Sequence, residues 1–355
     1  MKNPFLPLRT PLVPLLTSLF LLASAVPAAW AQDALIVPKD SVRVYAESSF
    51  KTVGMKDVWG WLPVVVFSVK GPIASGSRAW AEFTLPGDKL KFGCDMMVQQ
   101  YKGNTAIDEW HLSCGGDTAR GNHVVFFSGN VPFSLHIANE LQGTDTAVFT
   151  GKMKVGKAPT RADHPEFYVD EDWRLPIAYV FLEQHGGGVT EPAADLRATL
   201  WIRGRSGGLD AHLFYQGKDV AESSCGYSDH GQLSAKSEDG GGYRGLVWWG
   251  LECDFPVGGK KPGFSAEVKH VLSENPGEYE IKVLANGRLA RSLKFSAAAD
   301  GTLVDNGIAS NNQLGDDRLI VPVKVLGTGD EAWDRMAWKT EAFYGHPLTG
   351  FTAEP

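Results

Sequence analysis

Short runs of alternating apolar and polar residues recur along this chain, and Gly, Pro, Asn or Asp break them every few residues. That period of two predicts β-strands. Val64–Val69, Val124–Phe127 and Tyr279–Leu284 are rich in the β-branched and aromatic side chains that suit a pleated surface. Asn286-Gly287 separates Glu278–Leu284 from Leu289–Phe295, a hairpin signal because both central turn positions need positive φ. A helical period appears near the C-terminus, over Glu331–Phe343, where Trp333, Met336, Ala337 and Thr340 share a face and Asp330 can cap it.

Several motifs come twice in the same order. Trp61-Leu62-Pro63 precedes Val64–Val69, and Trp173-Arg174-Leu175-Pro176 precedes Ile177–Leu182. Trp110–Cys114 and Trp249–Cys253 are both W-x-L-x-C, and Cys94 and Cys225 lie 20 and 28 residues before their last residues. Phe133–Leu141 and Phe264–Leu272 also correspond. This order predicts a duplication. The expected fold is all-β: two tandem immunoglobulin-like β-sandwiches over 32–160 and 165–300, and a C-terminal extension over 301–355 that contains one helix. With Trp333, Trp338, Phe343, Tyr344 and Phe351 in its last residues, that extension is expected to dock on a domain.

Alternation also sorts side chains by face. Leu196, Ala198, Leu200 and Ile202 mark one face of their strand, which leaves Trp201 on the other with Arg197 and Arg203. Ala79, Ala81, Phe83 and Leu85 likewise leave Trp80 outward, and Trp248 alternates with its neighbour Trp249. Trp80, Trp201 and Trp248 are therefore the candidate ligand-binding residues, as stacking platforms for sugars or anchors for a protein partner. The competing expectation is that these faces pack against the rest of the chain.

Composition changes the picture at the N-terminus. Lys2 and Arg9, an apolar stretch over 11–26 and Ala29-Trp30-Ala31 have the three parts of an export signal, with cleavage after Ala31. Losing Lys2 and Arg9 takes 34 basic residues to 32 against 41 acidic ones, a formal charge of −9. That balance excludes nucleic acid and anionic lipid as main partners. After the signal the longest apolar run, Leu62–Val69, is too short for a transmembrane span. Four cysteines in an exported chain read as two disulfides, Cys94–Cys114 and Cys225–Cys253 if each half holds its own.

Sequence motifs for catalysis are sparse: there is no H-E-x-x-H and no P-loop. Glu109, His111 and Ser113 share a strand face, and such a set can do acid–base work, but the second W-x-L-x-C segment does not repeat it. Asp170-Glu171-Asp172 between the two halves makes Asp170 and Asp172 candidate calcium ligands. No cofactor is implied. The expectation is a periplasmic or secreted non-enzymatic protein that binds a protein or glycan of the cell envelope or exterior, or has a structural surface role. Carbohydrate binding through the tryptophans is the alternative. A hydrolase with a site assembled from distant residues ranks behind it.

Overall fold

The computed structural model describes residues 35–99, 109–115, 123–158, 165–184, 194–203, 208–228, 248–258, 270–312, 314, 318–326 and 333–354. The expected signal segment, part of the Phe264–Leu272 correspondence and the runs Gly186-Gly187-Gly188 and Gly240-Gly241-Gly242 lie outside them.

In the first half, β1 (Arg43–Val53), β2 (Lys56–Lys70), β3 (Ser77–Leu85), β4 (Asp88–Gln99), β5 (Glu109–Gly115), β6 (Gly129–Asn139), β7 (Thr144–Ala158) and β8 (Glu166–Val169) make one antiparallel sheet. Its order is β1-β2-β5-β4-β3-β6-β7-β8. The end strands β1 and β8 lie against each other, so the sheet folds over on itself. Val44, Phe67, Leu112, Phe83, Leu135 and Val155, one inward side chain from each of six strands, then share a core.

The second half contributes β9 (Ile177–Gln184), β10 (Ala194–Arg203), β11 (Leu209–Tyr215), β12 (Lys218–Ser224), β13 (Gly226–Ser228) and β14 (Trp248–Phe255). A small parallel pair, β15 (Val257–Gly258) and β16 (His270–Val271), precedes β17 (Gly277–Ala285), β18 (Arg288–Ala297) and β19 (Leu319–Val325). The nine-stranded antiparallel sheet runs β12-β11-β17-β18-β19-β9-β10-β14-β13. It carries its own core, in which Leu200, Leu213, Leu251, Ile281, Leu293 and Val323 are buried. Asn286 (φ 50°) and Gly287 (φ 74°) make the tight turn between β17 and β18, as the sequence predicts.

The fold is all-β and sandwich-like. The duplication, however, is not reproduced in strand order. In the first sheet the strand of Trp110–Cys114, β5, lies next to β2, whereas in the second β10 stands between β14 and β9. The W-x-L-x-C match survives as a local element: Cys94 on β4 faces Cys114 on β5, and Cys225 precedes β13 beside Cys253 on β14. Both predicted disulfides form, with Cα atoms 3.9 and 4.3 Å apart. Each therefore links neighbouring segments of one sheet, unlike the sheet-to-sheet bridge of an immunoglobulin domain.

Two expected elements differ. Val124–Phe127 makes one bridge, Val125 to Trp61, in place of a strand. The described part of Glu331–Phe343 holds 3-10 turns at Ala337–Lys339 and Ala342–Tyr344 in place of a continuous helix. Tertiary contacts override the helical period there. Trp333, Phe343, Tyr344 and Phe351 are all buried in the first core, so the C-terminal segment docks within the chain. The short α-helix of this region is Ile308–Asn311.

Candidate functional site

The β1–β2 hairpin outruns its sheet. Val42, Val44 and Ala46 anchor its inner part in the core, but from Glu47 to Val58 nearly every side chain is exposed. Gly54 (φ 66°) and Met55 close the two-residue turn at its tip, a hairpin geometry that favours Gly in the first position. Register sets the surface chemistry of this arm. Phe50 faces Trp59 across the strands, their rings 5.1 Å apart, and Thr52 Oγ1 donates to Asp57 Oδ1 at 2.7 Å. Val58 sits across from Lys51 on the opposite face.

Among the described residues no strand pairs with β1 beyond β2, and β2 meets its next partner only at Trp61, through Val125. At that point His123–Phe127 crosses the base of the arm. Gly60 allows the crossing, because a Cβ there would stand 2.3 Å from Val125 O. The Trp61 indole fixes it by donating to Phe127 O at 2.7 Å. Behind the crossing lies a hollow of about 260 Å³ lined by Leu85, Leu90, His123, Phe126 and Phe127. Among the described residues, six of the twelve exposed large apolar side chains belong to the arm or this crossing: Phe50, Val53, Met55, Val58, Phe126 and Phe127.

The three tryptophans read as platforms have different fates. Trp201 and Trp248 are closed to solvent, at 4% and 1% exposure, which corrects their expected exposure. The face they occupy is opposite the second core, as alternation predicts, but it packs into the first core. Trp201 meets Tyr179 edge-on at 5.2 Å, and Trp248 lies 5.9 Å from Tyr168 of β8. Trp80 does face outward, half-buried. Lys91 Nζ from β4 already sits 3.6 Å above its ring, and His136 from β6 stacks on it at 5.1 Å. A sugar stacking there would first have to displace one of them.

Asp170-Glu171-Asp172 is split among protein partners. Asp170 pairs with Lys154 at 2.9 Å and accepts the Asp172 N–H. Asp172 accepts the Trp248 indole N–H at 3.0 Å and the Asp334 N–H at 2.7 Å, with Arg203 at 3.6 Å. Burial, followed by the nearby Asp170 charge, pushes the Asp172 carboxyl above its ordinary value. Glu171 holds the buried Arg174 and accepts the Tyr344 hydroxyl proton at 2.5 Å. The cluster the sequence offers to calcium is thus a junction tying the second half, the first half and the C-terminal segment together. A cation at Asp170 and Asp172 would compete with these donors.

Catalytic geometry is limited. Among the described residues no hydrogen bond joins His111 to Glu109 or Ser113. A chain that sequence spacing did not flag does form: Ser134 Oγ lies 2.8 Å from His136 Nε2, and His136 Nδ1 lies 3.1 Å from Asp145 Oδ1. Ser134 and His136 are i, i+2 on β6, so their spacing was visible. Asp145 joins them only through the β6–β7 register, which slips between Leu135 and His136. Acyl transfer also needs N–H groups aimed at a developing oxyanion. Ser134 stands on an unbroken part of the ladder, opposite Glu82 of β3 and Thr150 of β7, where backbone groups bond to neighbouring strands.

Two disulfides fit an oxidising compartment outside the cytoplasm, and among the described residues no helix is long and apolar enough to cross a membrane. No family model, no curated protein and no solved structure matches the chain.

Proposed function

We propose that this is an exported, non-enzymatic binding protein that docks a protein of the cell envelope or exterior through its β1–β2 arm. One observation carries the reading: a projecting two-stranded ribbon combines exposed apolar side chains with strand edges that no other described strand pairs with. Open edges accept an added strand by main-chain hydrogen bonding, while neighbouring apolar side chains select what is added. Insertion into lipid fits less well, because the charges of Lys51, Lys56 and Asp57 would enter hydrocarbon. Export rests on the N-terminal signal pattern and the two disulfides, and the choice between periplasm and exterior is left to the partner's location.

Glycan binding retains one half-exposed tryptophan, and that ring is covered by Lys91. The test compares residues 32–355 with a Phe50→Ser, Val58→Ser variant against solubilised envelope proteins, lipid vesicles and insoluble glycan. Both side chains are exposed, so the variant should unfold at the same urea concentration as the parent. Retention of one protein, lost in the variant, is the expected result. Binding to vesicles or glycan that survives the substitutions would contradict the reading.

A further inference from the structure

We propose that the β11–β12 hairpin carries a binding site for a first-row divalent metal ion of the zinc class, with His212, Asp219 and Glu222 as ligands. This inference is independent of the arm. His212 on β11 faces Glu222 directly across on β12. Regular pairing would then place Val220 opposite Phe214. Instead the register shifts between Leu213 and Phe214, so that Phe214 pairs with Asp219. One extra residue on β12 therefore turns the Asp219 carboxylate to the outward face beside His212, a re-aiming that β-bulges commonly perform next to sites. His212 Nδ1 lies 2.8 Å from Asp219 Oδ2 and 4.0 Å from Glu222 Oε1, and all three donor atoms fall within 4.8 Å of one another.

Metal–ligand bonds of roughly 2.0–2.2 Å hold ligand atoms about 3–3.5 Å apart. His212 and Asp219 are close to that spacing already, and Glu222, whose side chain is 77% exposed, can turn to complete it. The support is stiff. Gln216 (φ 51°) and Gly217 (φ 76°) form a tight turn at one end of the hairpin. At the other, Cys225, three residues past Glu222, is bridged to Cys253 on β14. One imidazole with two carboxylates suits zinc and its first-row neighbours better than calcium or magnesium, which take oxygen ligands. The residue directly across from His212 on β17 is Lys282. Its ammonium is drawn to Glu280 at 3.3 Å and over the Phe214 ring at 4.4 Å.

Calorimetric titration of zinc chloride into tag-free, disulfide-bonded residues 32–355 near neutral pH tests the site. His212→Ala, Asp219→Asn and Glu222→Gln are compared with His136→Ala, which disrupts a second surface His–Asp pair that has no third ligand among the described residues. One saturating equivalent is expected, with affinity reduced about tenfold or more in the first two variants and unchanged in His136→Ala. Circular dichroism on each variant confirms that the fold is kept. The proposal is overturned if no saturable binding appears up to millimolar zinc, if binding survives His212→Ala, or if His136→Ala abolishes it.

Discussion

Tyr344 shows how much of this protein depends on single polar atoms. Its hydroxyl donates to Glu171 and accepts from the Val44 N–H at 3.0 Å, inside a core where Arg174 is also buried. Phe343 and Tyr344 both adopt positive φ, 47° and 60°, a costly conformation for aromatic residues that the surrounding contacts must offset. Tyr344→Phe keeps the ring and removes these bonds, so urea unfolding should show a loss of about 1–3 kcal/mol. An unchanged midpoint would mean that the ring alone holds the segment. His270 gives a pH dependence. It is buried, with Nε2 2.8 Å from the Tyr279 hydroxyl, and burial holds its imidazole below the ordinary value. The unfolded chain then binds a proton on this side chain at higher pH than the fold does. Its contribution is present above the ordinary histidine value of about 6.5 and is lost as pH falls through it. Thermal melts should therefore drop between neutral and mildly acidic pH, and less so in His270→Gln. A drop of the same size in the variant would assign it to other groups.

Elements differ in how plainly the sequence announces them. The Asn286-Gly287 hairpin is legible because positive φ at two successive positions is a local demand. The two disulfides are legible because each half of the chain can hold its own complete bridge. Trp201 and Trp248 are sorted to the correct strand faces by alternation, but alternation cannot say whether a face meets water or another layer. Here that depends on β8 and on Asp172, distant in the chain. The arm is hidden for a related reason. Alternation continues through Phe50 and Val58 past the point where the described neighbouring strands stop, and nothing local marks that end. The metal cluster depends on a one-residue register slip. The C-terminal segment has aromatic content that predicts docking but a helical period that misleads. Removing 329–355 would uncover Trp173, which packs on Phe343 at 4.8 Å, and the Glu171–Arg174 pair that Tyr344 covers. The truncated chain should aggregate or melt well below the intact protein, and an equally stable, soluble product would refute this role.

At the scale of the whole molecule, two curled sheets keep separate cores, while the outer face of the second sheet joins the first core at Trp201 and Trp248. The polar junction of Glu171, Asp172 and Arg174 lies where the chain passes from one sheet to the other, which makes it a structural tie. Export and partner binding extend beyond this architecture and rest on the signal pattern, the disulfides and the arm. The most direct measurement is site-specific photocrosslinking in cells that produce the protein. The benzophenone side chain is placed at Val58 on the arm or at Leu141, which is 89% exposed in the turn between β6 and β7. The account predicts one discrete protein adduct from Val58 and none from Leu141. No adduct at Val58, or the same adducts from both positions, would contradict it.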